Sequence, residues 1–313
     1  MQSLRERFAS RNIEISLAND SLPIVRLTNP HASAVVSLYG AHIFAYVPRG
    51  SRNVLWLSSE SNFTPGKPVR GGIPVCWPWF GPGPEEGMPA HGLARISLWN
   101  LEKIEENSDG STTLTLTLDK SAEIGLKASA LIRVGSSLSF ELTTENFSAR
   151  PYTLTSALHS YFAVSDIASV SVSGLDGAAF TDKVSGQRLL QQGDILFQSE
   201  TDWVFDSTES PVIIHDPVWK RSLLVEKSGS RSTVVWNPWV EKSRKMADFG
   251  DREYHSMLCV ETANAGADAR VLQPGARHTL AARITEMLET SPAQGEEQPG
   301  CCSCSRGGGK KDC

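Results

Sequence analysis

Long apolar runs are missing from this sequence. No stretch approaches the roughly 20 apolar residues that a membrane-spanning helix needs, so no such helix is expected. Residues 1–8, MQSLRERF, contain no apolar core of a secretory signal, and an exported protein is not expected either. An excess of basic charge is also missing. The formal net charge is −5, whereas a nucleic-acid-binding domain is usually basic. Mild acidity does not argue against a small anionic ligand, because two well-placed arginines can hold a phosphate on an acidic protein. Cysteine is scarce in the body of the chain, where only Cys76 and Cys259 occur. The other four, Cys301, Cys302, Cys304 and Cys313, crowd the end. A disulfide framework would be spread through the fold, so a reduced, cytoplasmic protein is the expectation.

Helical periodicity is scarce too, which argues against a fold of alternating strands and helices. The dominant period is two. Thr113-Leu114-Thr115-Leu116-Thr117-Leu118 alternates strictly, and so does Leu138-Ser139-Phe140-Glu141-Leu142-Thr143 after the Gly135-Ser136 turn. Val170-Ser171-Val172, Val234-Val235-Trp236 and residues 279–284 add strand-like pieces. One apolar and one polar face at period two marks half-buried strands. Asp109-Gly110, residues 228–230 and Pro274-Gly275 supply turns between them. Residues 241–251 have room for a helical turn or two. The reading is an all-β, antiparallel sandwich. Forty per cent hydrophobic residues provide ample core. Residues 1–289 read as one domain without an interior linker. Residues 290–313 are polar, rich in chain breakers and unable to bury apolar area, so they read as a disordered tail. That tail has no histidine, no paired C-x-x-C and no C-terminal prenylation box.

Candidate chemistry concentrates in a few segments. Arg70-Gly71-Gly72-Ile73-Pro74-Val75-Cys76-Trp77-Pro78-Trp79 is too rich in glycine and proline for a long regular element. Its aromatics either cap the core at a sheet end or border a ligand, with Arg70 holding an anion. His91-Gly92-Leu93-Ala94-Arg95 sets a histidine and an arginine around a glycine that permits close backbone approach. In Ala157-Leu158-His159-Ser160-Tyr161, strand alternation puts His159 on the face of Ala157 and Tyr161; a lone histidine near aromatics can equally be structural. Trp236-Asn237-Pro238-Trp239 precedes an Asp248-Phe249-Gly250 tripeptide, but no other kinase element is present. Cys259-Val260-Glu261-Thr262-Ala263-Asn264 ends an apolar strand with a carboxylate that is costly to bury without a partner.

Taken in order, Arg-Gly-Gly-Ile-Pro, His-Gly-Leu-Ala-Arg, His-Ser-Tyr-Phe, Trp-Asn-Pro-Trp and Cys-Val-Glu-Thr-Ala-Asn resemble the aldose 1-epimerase superfamily. Within it they look most like the glucose-6-phosphate 1-epimerase branch, over roughly residues 10–288. The resemblance implies a galactose-mutarotase-like β-supersandwich with its site in a groove, and no metal or organic cofactor. It implies that His159 and Glu261 are the acid and base. It further implies that Arg70 and Arg95 hold the substrate's phosphate, that Asp202 binds substrate, and that His91 lies near the sugar. Two positions depart from the pattern: Ala90 stands where glutamine is common, and Trp203 where arginine often follows the aspartate. They bear on the preferred sugar more than on the reaction. The expected substrate is a hexose 6-phosphate, and the expected partners include no nucleic acid and no membrane. The protein is expected to be a monomer. A neighbouring carboxylate favours imidazolium, so His159 is expected to titrate above its ordinary value. Rival readings are an epimerase of free aldoses and a non-catalytic sugar-binding module. A glycoside hydrolase would want two carboxylates.

Overall fold

The computed structural model describes residues 1–118 and 124–288. The expected tail at 290–313 lies outside the described residues. Among the described residues, strands form a four-stranded, an eight-stranded and a nine-stranded antiparallel sheet, with a small two-stranded ribbon. Helix is limited to short pieces such as Gln2–Phe8 and Trp239–Ser243. No helix among the described residues is long and apolar enough to cross a membrane.

The alternating runs form the large sheet as their pattern requires. Leu126–Val134 and Leu138–Asn146 bury every second side chain, and they pair antiparallel through the Gly135-Ser136 connection. Arg277–Leu288 adds on the other side of Leu138–Asn146. The buried sides of both large sheets share one cluster of apolar side chains running from Ile13 to Ile284. Trp77 crosses between them, donating its indole N–H to Thr144 Oγ1 at 2.9 Å. A buried indole needs such a partner.

The eight-stranded sheet positions the site. Its central strands, Ser232–Asn237 and Met257–Asn264, are buried along their whole length. Sheets covered on both faces lose the one-sided alternation. Core side chains cover one face here. On the other lie His91, whose ring meets that of His159, and Phe249, which packs on Trp56 where Trp56 stacks on Tyr161. Next to Met257–Asn264 the chain makes two short strands, Ser156–Leu158 and Tyr161–Ala163, with an interruption at His159-Ser160. Residues 70–76 lie on their far side. There His159 N–H donates to Pro74 O at 3.0 Å and Tyr161 N–H to Gly72 O at 2.9 Å.

Candidate functional site

Strand register assembles this site. Leu158 pairs with Thr262 and Tyr161 with Cys259, which leaves His159 directly opposite Glu261. Side chains alternate between faces, so His159 and Tyr161 share a face with Glu261 and Cys259. Glu261 pairs with Val234 and Cys259 with Trp236, and Trp236 in turn pairs with Asp202. The same face therefore carries Asp202, Trp236, Cys259, Glu261, His159 and Tyr161. Four strands contribute, and the residues are far apart in sequence.

His159 Nδ1 lies 3.3 Å from Glu261 Oε1, and the two side chains are 11% and 2% exposed. The distance is that of an ion pair, yet the atoms are not aligned for a hydrogen bond. His159 Nδ1 and Glu261 Oε2 are both buried without a hydrogen-bond partner. Such groups cost about 1–3 kcal/mol each and concentrate where a ligand supplies the missing partner. The imidazole is stacked on the Tyr161 ring, with centroids 4.7 Å apart and planes 6° from parallel. Trp236 meets it edge-on at 6.2 Å, and the His91 ring is 6.0 Å away. These contacts fix its orientation.

The electrostatics overturn one expectation. His159 is pushed well below its usual value, not above it. Burial is the main cause, and the neighbouring His91 together with the charges of Arg70 and Arg95 lowers it further. Glu261 could oppose this only as a carboxylate. Its own carboxyl is held well above the usual range, first by burial and then by Asp202, against the pull of Arg95. Both shifts favour the uncharged forms, a neutral imidazole beside a protonated carboxyl. His91 is lowered to about 4 by burial and the two arginines, so it is neutral as well.

Arg70 sits at the start of the Gly-Gly segment. Its Nε and Nη2 donate to the two oxygens of Asp248, each at 3.2 Å, and its Nη1 to Tyr161 Oη at 3.0 Å. Burial opposes the guanidinium charge, but Tyr161 and Asp248 outweigh it and hold the group charged. Of the five N–H donors of a guanidinium, one on each terminal nitrogen stays unused by these bonds. Arg95 donates from Nη2 to Ala90 O at 2.8 Å, while its Nε is buried without a partner. Ala90 thus serves through its backbone carbonyl, whatever side chain stands there. Asp202 is partly exposed, with Lys242 Nζ 3.7 Å away, and the same ammonium donates to Glu200 at 2.8 Å. Burial raises the Asp202 carboxyl, partly offset by Lys242 and Lys183. Trp203 points to the opposite face and packs on Phe180, with ring centroids 4.7 Å apart. It offers nothing to the site.

All six residues singled out from the sequence lie around one region. Arg95 acts on the charge of both His159 and Glu261, Asp202 acts on Glu261, and His91 and Arg70 act on His159. Sequence reasoning placed Tyr161 on the face of His159 but missed Cys259 and Trp236 as neighbours of the pair. Their signal was present, because each stands two residues from a chosen residue or opposite such a residue. Asp248 and Lys242 carried none, since each is brought in by residues 239–251 folding over the sheet.

Residues 23–285 match the family described as aldose 1-epimerase. The chain belongs to the aldose 1-epimerase family. An Escherichia coli (strain K12) protein named "Putative glucose-6-phosphate 1-epimerase" is 38% identical over 267 residues, covering 83% of this chain and 89% of its own length. A protein of the same name from Cenchrus ciliaris is 36% identical over 258 residues, covering 77% of this chain and 78% of its own length. Among solved structures, a "putative mutarotase" from Salmonella typhimurium superposes with a TM-score of 0.83 at 33% identity, covering 90% of this chain and 96% of that one. A galactose mutarotase-like protein from Clostridium acetobutylicum, with a TM-score of 0.67 and 13% identity over 90% of this chain and all of its own, shares the fold. The expected all-β, galactose-mutarotase-like architecture and the epimerase class are therefore both met by this aldose 1-epimerase family member.

Proposed function

We propose that this aldose 1-epimerase family member interconverts the α and β anomers of glucose 6-phosphate, with His159 and Glu261 moving the protons. The observation that carries the reading is the buried pair itself: Nδ1 and Oε1 are 3.3 Å apart, and Nδ1 and Oε2 both lack a partner. Ring opening removes one proton from the anomeric hydroxyl and delivers one to the ring oxygen. A pair that holds one proton between its two members meets that need. Burial favours keeping this proton on Glu261. A phosphate dianion arriving at Arg70 and Arg95 offsets their share of the depression of His159, a smaller share than that of burial, and so favours placing the proton on the imidazole. Glu261, now a carboxylate, takes the anomeric proton while His159 protonates the ring oxygen. The C1–O5 bond breaks, the open-chain aldehyde rotates about C1–C2, and closure with the roles reversed gives the other anomer. Proton transfer by positioned groups contributes about 10²–10⁴-fold.

Arg70 and Arg95 are the proposed phosphate contacts. The two unused N–H groups of Arg70 form a planar fork suited to phosphate oxygens, and the buried Nε of Arg95 needs an acceptor. Asp202 and His91 are proposed to border the sugar hydroxyls. Residues 1–289 are proposed to act as one catalytic unit, in keeping with the continuous core. A cytoplasmic monomer completes the reading.

Magnetisation-transfer NMR on glucose 6-phosphate and, in parallel, on glucose tests this. Acceleration of anomer exchange for the phosphate is the expected result. Equal acceleration for glucose would move the substrate to free aldoses, and acceleration of neither by folded protein would overturn the enzymatic reading.

A further inference from the structure

Cys259 stands two residues before Glu261 on the same face, and the proposed reaction does not use it. Ligand atoms of His159, Cys259 and Glu261 all lie within 4.8 Å of one another, and all three residues are buried. We propose that these three side chains form a binding site for a borderline-soft divalent cation, Zn²⁺ above all, and that its occupation blocks turnover by engaging both proton-transfer groups. The blocking part rests on the assignment of His159 and Glu261 as acid and base; the binding part does not.

Three observations support the site. The donor set of one imidazole, one thiolate and one carboxylate is of the kind zinc takes, with a fourth position open to water. The His159 Nδ1 to Glu261 Oε1 separation is 3.3 Å. Two ligand atoms on a tetrahedral zinc, at Zn–N and Zn–O distances of about 2.0–2.2 Å, are themselves about 3.3–3.5 Å apart. Nδ1 and Oε2 are also buried without a hydrogen-bond partner, so no protein group competes with a cation for them. Charge closes as well. Binding releases the Cys259 thiol proton and the Glu261 carboxyl proton to solvent, and Zn²⁺ with one thiolate and one carboxylate is net neutral. A neutral assembly suits burial better than an isolated ion.

The test uses the full chain with Cys301, Cys302, Cys304 and Cys313 replaced by serine, so that no terminal thiol competes. Co²⁺ is added as a spectroscopic probe, and Zn²⁺ is used for inhibition. One equivalent of Co²⁺ is expected to give a thiolate-to-cobalt charge-transfer band that Cys76→Ser retains and Cys259→Ser abolishes. Zn²⁺ inhibition, scored against each protein's own chelator-treated rate, should weaken in Cys259→Ser by more than the roughly 10–100-fold that loss of an outer-shell partner costs. X-ray absorption at the zinc edge of the Cys259-containing protein needs no variant at that position, and should show one sulfur among N/O scatterers. No charge-transfer band, a band that survives Cys259→Ser, or a sulfur-free zinc shell would overturn the site. These spectra need no turnover, so they separate failure of the site from failure of the epimerase reading.

Discussion

Glu261 shows most directly how a functional residue is held against its own stability. Its carboxyl is almost wholly buried, one oxygen has no partner, and its pKa is raised. A folded-state pKa above the unfolded value means that the stability linked to the proton is present below about pH 4.5 and is lost as pH rises toward the folded value. Glu261→Gln cannot lose that proton. The variant should therefore gain on the parent as pH rises, by about 1–3 kcal/mol at neutral to mildly alkaline pH, while anomer exchange falls by about 10²-fold or more. Denaturant unfolding at pH 5 and pH 8 reads the first effect, and a variant less stable at pH 8 would contradict it. His159 runs the other way. Its lowered pKa means stability is lost as pH falls below 6.5, because the unfolded chain then takes a proton the folded one refuses. Arg70→Lys probes the phosphate contact. One ammonium cannot hold Asp248, Tyr161 and a phosphate in the planar arrangement that Arg70 offers. KM for glucose 6-phosphate should rise about tenfold or more, the loss expected for a hydrogen bond to a charged group, with kcat changed much less. Steady-state anomer kinetics decide it, and an unchanged KM would remove Arg70 from phosphate binding.

Residues 70–76 illustrate how an element's sequence follows from what it must pass. Gly71 and Gly72 both have positive φ, at 104° and 66°. A Cβ on Gly71 would stand 2.5 Å from Trp56 O, and one on Gly72 would meet Ile43 O and, at 2.9 Å, His42 Nε2. His42 is itself fully buried, bonded to Gly71 O at 2.7 Å, and kept neutral by a pKa lowered to about 3 through burial. Gly72→Ala should thus cost about 2 kcal/mol or more, since backbone cannot yield as a flexible side chain would. A denaturant midpoint within error of the parent would refute that contact. The glycines and Arg70 were legible as a loop with a purpose, and the strands of the nine-stranded sheet were legible from period two alone. The central strands of the other sheet were harder to read because both faces are buried, so Met257–Asn264 shows no alternation. His159 and Glu261 could be chosen from resemblance, but their direct opposition could not, since 102 positions of chain separate 159 from 261. The pKa direction was missed for a related reason: a partner carboxylate was visible in sequence, whereas the burial and the two arginines that outweigh it were not.

At the scale of the whole molecule, binding and turnover can be separated because different parts of the site carry them. The acid–base pair lies on the central strands of the eight-stranded sheet, while the proposed phosphate contacts, Arg70 and Arg95, come from the segments beside and above it. A ligand that binds only the folded state stabilises it by about 2.7 kcal/mol at one hundred times its Kd. For a chain of this length that corresponds to a rise in Tm of about 4 °C. Glucose 6-phosphate should give such a shift, and glucose at the same concentration a much smaller one. Glu261→Gln should retain most of the phosphate-dependent shift while losing exchange, because the variant keeps both arginines. Arg95→Ala should lose the shift, because it removes the buried Nε that needs an acceptor. Calorimetric or dye-monitored melting of the three proteins with each sugar checks this. Equal shifts for glucose and glucose 6-phosphate would mean that the phosphate adds no binding energy, and the two arginines would then belong to the architecture of the site and not to its specificity.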